Sequence, residues 1–101
     1  MAPYRFTLDA VEDLDDIWSF IARDNREAAD RVEQQILAAC AGLAKRPLQG
    51  HLRPDLTGRP VRFWSLPRYH NYMIVYRPET KPLQIVRVLH GKRDVKGLLG
   101  W

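Results

Sequence analysis

The chain has 101 residues, 46% of them apolar and 28% charged, with a formal net charge of +4. A chain this long buries roughly 65% of its unfolded surface, enough for one core, so residues 1–101 are read as one domain. The longest uncharged helix-like run, ILAACAGLA at 36–44, falls short of the ~20 residues of a membrane span, and a lone Cys40 excludes an internal disulfide or a multi-cysteine zinc site.

The charge is unevenly spread. Residues 1–44 hold 4 Lys/Arg against 9 Asp/Glu, a balance of −5, whereas residues 45–101 hold 12 against 3, a balance of +9. The C-terminal half is therefore expected to face something anionic, an acidic protein segment or nucleic acid. MAPYRFTLDA, at the start, has no basic stretch followed by an apolar core. No secretory leader is expected, and the cytoplasm is the expected compartment.

In chain order, YRFTL (4–8) reads as a short strand. Asp9, with Glu12 three residues on, predicts a helix start in the manner of a capping box. Val11, Leu14, Ile17, Trp18 and Ile21 recur at helical spacing, and Glu12, Asp13, Asp15 and Asp16 keep mostly to the other side. RDN (23–25) interrupts the pattern, and Asn25 is suited to cap a second helix. That helix carries Ala28, Ala29, Val32, Ile36, Ala39, Cys40 and Leu43 on one face and ends near Lys45–Arg46, before Pro47. So short a break folds the two helices into an antiparallel hairpin, and the spacing of Cys40 makes it a buried, inert thiol.

Residues 47–59 have no period and form a long loop. The period then becomes two, in PVRFWSL (60–66), NYMIVYR (71–77) and LQIVRVLH (83–90), with connections short enough for antiparallel neighbours. The predicted class is α+β: a β-α-α-β-β-β order in which a helical hairpin packs on one face of a small, mostly antiparallel sheet. Strict alternation places Val61, Phe63 and Ser65 on one side of the second strand and Arg62, Trp64 and Leu66 on the other. In the last strand, Val86, Val88 and His90 share a face and Leu83, Ile85, Arg87 and Leu89 the opposite one. Both faces are rich in apolar residues, and one hairpin covers only one of them. Arg62, Trp64, Leu66, Ile85, Arg87 and Leu89 are therefore expected on a bare face that binds an acidic, amphipathic partner segment.

His51, His70 and His90 are isolated from one another, so no metal site is expected. TGRP leads into a strand rather than a helix, so no nucleotide cofactor is expected either. VLHGKRD (88–94) ends the last strand with Gly91 to turn the chain and Lys92 and Arg93 thrown to the surface. Arg93 is the first candidate there for contact with a target, and Asp94 is read as structural. The apolar tail holding Leu98, Leu99 and Trp101 either docks on the chain's own sheet or engages a target.

Taken in order, DAVEDLDDIWSFIA (9–22), AADRVEQQILAACAGLAKRPLQG (28–50), VRFWSLPRYHNYMIVYR (61–77) and IVRVLHGKRD (85–94) span nearly the whole chain. This arrangement resembles the ParE branch of the RelE/ParE superfamily of bacterial type II toxins. The resemblance implies a growth-inhibiting toxin that acts on DNA gyrase and is neutralised by a cognate, ParD-like antitoxin encoded beside it. It also leaves open a RelE-like, ribosome-dependent messenger RNA endonuclease of the same fold, for which Arg62, His90 and Arg93 are the candidate catalytic residues. RNA cleavage without a metal needs a base, an acid and cations on the developing phosphorane. The RelE-like pattern supplies a tyrosine beyond the last strand, but VKGLLGW (95–101) contains none, and the loop before the second strand offers Arg53 and Arg59 instead of a close lysine pair. The gyrase reading is therefore favoured, with no enzymatic activity of the chain's own. Direct nucleic-acid binding is a secondary expectation.

Overall fold

A computed structural model describes residues 2–91 and 95–99. The elements are β1 (Tyr4–Phe6), α1 (Leu8–Ala22), α2 (Arg26–Lys45), β2 (Arg62–Ser65), β3 (Tyr72–Arg77), β4 (Leu83–His90) and α3 (Val95–Leu99). The strands form one sheet in the order β1-β4-β3-β2, with β1 parallel to β4 and the other pairs antiparallel. The α+β class and the helical hairpin agree with the sequence pattern. The cap of α1 does not: Thr7, not Asp9, accepts from the Ala10 N–H, at 3.1 Å. Asn25 caps α2 as expected, accepting from the Ala28 N–H at 3.0 Å.

The helices bury Ala10, Val32, Ile36, Cys40 and Leu43 against Leu66, Ile74, Tyr76, Leu83, Ile85 and Val88 of the sheet. Fully burying one such aliphatic side chain stabilises the fold by about 1.5–3 kcal/mol. The opposite sheet face carries a second cluster of Val61, Phe63, Met73, Val75 and Leu89. It is roofed by Val95 and Leu99 of α3, with Leu56 of the long loop packed alongside. Each side of the sheet therefore has its own cover.

The long loop is pinned by polar groups. Tyr76 is fully buried, and its hydroxyl donates to the Pro47 carbonyl at 2.6 Å and accepts from the Gly50 N–H at 2.9 Å. Arg62 donates from Nη1 to the Gly50 carbonyl at 2.8 Å. His51 then exchanges two 2.8 Å backbone hydrogen bonds with Phe63 and extends the sheet beyond β2 by one bridge. A side chain at position 50 has no room, because a Cβ there would stand 2.5 Å from the Tyr76 hydroxyl oxygen and 3.0 Å from the Phe63 carbonyl oxygen. Tyr76→Phe leaves the buried Gly50 N–H without its acceptor and should cost about 1–3 kcal/mol in a urea denaturation series. Gly50→Ala should destabilise the chain as well, since the rigid phenol ring cannot step aside. An unchanged midpoint for both variants would contradict this account of the loop.

Candidate functional site

The site expected from the sequence rests on strict alternation in β4, and β4 does not alternate throughout. Tyr76 pairs with Ile85 and Val75 with Arg87, so Val86 is an extra residue, a β-bulge. Past it the faces exchange. Ile85 and Val88 point to the same helix-covered cluster, while Val86 and Leu89 join the cluster under α3.

The expected bare face is therefore corrected. Leu66 and Ile85 are fully buried beneath the helices, and Trp64 packs half-buried against that same core. Leu89 is buried on the other side of the sheet. These four residues do not share a surface, and the apolar face beyond the hairpin is closed by the chain's own α3 and loop.

Arg87, expected to face a target, is held inside the molecule. Its Nε and Nη2 reach the two carboxylate oxygens of Asp13 at 2.7 and 2.8 Å, and Nη1 donates to the Leu98 carbonyl at 2.8 Å. Asp13 Oδ2 also accepts from the Val88 backbone N–H at 2.9 Å. The hydrogen bonds to Asp13 are the main reason the Arg87 pKa is raised further, against the opposing pull of burial. This cluster links α1, β4 and α3, and Asp13 was missed in the sequence, where it reads as one more residue of an acidic, solvent-facing helix side. A faint signal exists: Asp13 lies three residues after Ala10 and four before Ile17, at the border of the core stripe.

Arg62 is half-buried and engaged with Gly50. His90 is half-buried and meets the Tyr72 ring edge-to-face, with centroids 5.2 Å apart and planes at 89°. Burial raises the pKa of Tyr72, so its hydroxyl stays protonated and neutral. Lys92 and Arg93, together with Asp94 and Trp101, lie outside the described residues. Among the described residues, the expected contact residues are not brought together into one exposed array. Among the described residues, no three His, Cys, Asp or Glu side chains converge to hold a metal ion.

Cys40 is fully buried, and burial pushes its thiol up to about 12. It has no reactive environment.

The arrangement is that of a small α+β protein whose two sheet faces are both closed by its own chain and whose described polar clusters brace elements. Comparison with known proteins identifies the class. Residues 4–95 match the family of ParE toxins of type II toxin–antitoxin systems, parDE, and the chain belongs to that family. One relative is "Putative toxin Y4kP" of Sinorhizobium fredii (strain NBRC 101917 / NGR234), 33% identical over 90 residues that cover 89% of this chain and 88% of that protein. A solved structure, a chromosomal ParDE TA system from P. aeruginosa, superposes with a TM-score of 0.71 at 27% identity, covering 86% of this chain and 92% of that one.

Two outcomes are expected from this geometry. Asp13→Ala strands the Arg87 charge and frees the Val88 N–H, and should destabilise the fold by about 2–4 kcal/mol, less than a fully dry pair because some solvent contact remains. Pairing it with Arg87→Met should recover part of that loss, which a double-mutant cycle in urea would measure; a double variant weaker than both singles combined would contradict the assignment. At pH 8 the thiolate fraction of Cys40 is on the order of one part in ten thousand, so a thiol-specific reagent should modify the native chain only as fast as it unfolds.

Proposed function

We propose that this chain is the toxic partner of a cytoplasmic type II pair, that it inhibits DNA gyrase, and that a ParD-like antitoxin neutralises it by binding. The observation that carries this reading is membership of the ParE family over residues 4–95. Similarity to a chain of a ParDE system along most of both lengths is consistent with an antitoxin partner. The residues also weigh against a ribonuclease of the same fold. Arg62 is tied to the loop through Gly50, and residues 95–101 contain no tyrosine. A fold shared by two activities cannot choose between them, so the side chains must.

Purified chain added to gyrase and relaxed plasmid should block supercoiling and leave linear, cleaved DNA. Unaffected supercoiling at stoichiometric excess would overturn the gyrase assignment. Primer extension on transcripts from cells expressing the chain should show intact messages, whereas discrete cuts within codons would assign it to the endonuclease class instead. Co-expression with the product of the neighbouring reading frame should restore growth and yield a complex that co-purifies.

A further inference from the structure

At one end of the molecule, the C-terminal turns of α2, the residues before β1 and the turn between β3 and β4 leave a groove of about 500 Å³. Its walls are mainly apolar, with Ala41 and Ala44 on the helix side and Pro82 and Leu83 opposite. Two exposed ammonium groups line it, Lys45 and Lys81. Among the described residues, no carboxylate lines it.

This groove combines what the sequence placed on the sheet, apolar surface next to cations, but places it elsewhere. Four prolines line it and bring no backbone N–H donor. The Thr80 hydroxyl is already engaged, donating to the Arg77 carbonyl at 3.1 Å and accepting from the Gln84 N–H at 2.8 Å. An occupant is therefore held by apolar contact and by Lys45 and Lys81, which favour an anionic group. The chain's formal net charge of +4 has the same sign.

We infer that the groove between α2 and the β3–β4 turn is the docking site for an acidic, aliphatic-anchored segment of the antitoxin. This rests on the function proposed above, and the two fail separately. An aliphatic side chain seats among the alanines, Pro82 and Leu83, while flanking Asp or Glu residues meet the two lysines. Such pairs add specificity and association rate, and weaken as salt rises.

The test uses full-length chain and the protein encoded by the neighbouring reading frame, with affinity measured by calorimetry at low and moderate salt. The Lys45→Glu/Lys81→Glu variant should bind about tenfold or more weakly and lose most of the salt dependence. Arg31→Glu/Arg68→Glu makes the same change in net charge at a polar cleft between α2 and the β2–β3 connection, and should bind within about threefold of the parent chain. Thermal melts establish that both variants are folded, and Lys81→Gln, outside any helix, serves in place of a double variant that melts early. Equal weakening by the two charge reversals, or none from the groove pair, would overturn the groove while leaving the antitoxin partnership intact. Absence of binding by the parent chain would overturn both. A fluorescent DNA duplex that binds the parent chain and is released by the groove reversal would assign the groove to nucleic acid and overturn the inference.

Discussion

The outer edge of β4 is the constraint around which this structure is organised. β4 runs for eight residues and β1 for three, so most of that edge has no strand beside it. Thr7 and Asp13 take over where β1 stops. The Thr7 N–H donates to the Ile85 carbonyl at 3.0 Å, its hydroxyl donates to the Val86 carbonyl at 2.7 Å, and Asp13 accepts from the Val88 N–H. Residues flanking and within the first turns of a helix thus complete a sheet ladder, satisfying backbone groups that burial would otherwise penalise. The bulge at Val86 falls within this stretch and turns Arg87 toward the same carboxylate.

The same arrangement explains how much was legible in advance. The two long helices and the four strands followed from periodicity in their chain order, and β4 was bounded to the residue, but the short helix α3 was not expected, because VKGLLGW is too brief to show a helical period. The hairpin break followed from Asn25, whose side chain does what a cap must. What failed was the assignment of faces. Period-two reasoning is correct within β2, where Phe63 and Trp64 fall in different clusters, but the side the helices would cover is not encoded in two equally apolar faces. In β4 a single extra residue reverses the pattern halfway along, and no glycine or proline marks it. Asp13 and Arg87 were obscured for a related reason: they stand 74 positions apart, so no local pattern joins them. Of the two fates open to the apolar tail, docking on the chain's own sheet is the one Leu99 takes.

These corrections change what the surface offers. An apolar sheet left open would be a ready partner site. Here α3 and the loop occupy that role, the loop being held by Tyr76, Arg62 and the close approach at Gly50. Large apolar side chains do remain exposed, including Leu8, Phe20, Leu48 and Leu52, but they are carried by helix and loop instead of forming one sheet face. Family membership is therefore a firmer guide to function than the sheet itself.

Both margins of the sheet are also short of open hydrogen-bonding length. On one side β1 offers three residues before α1 takes over, and on the other His51 is already bridged to Phe63. Long, flat margins are where strands of separate molecules fuse into aggregates. With margins this short the fold presents few such seams to a second copy of itself, so strand-to-strand fusion between molecules is disfavoured.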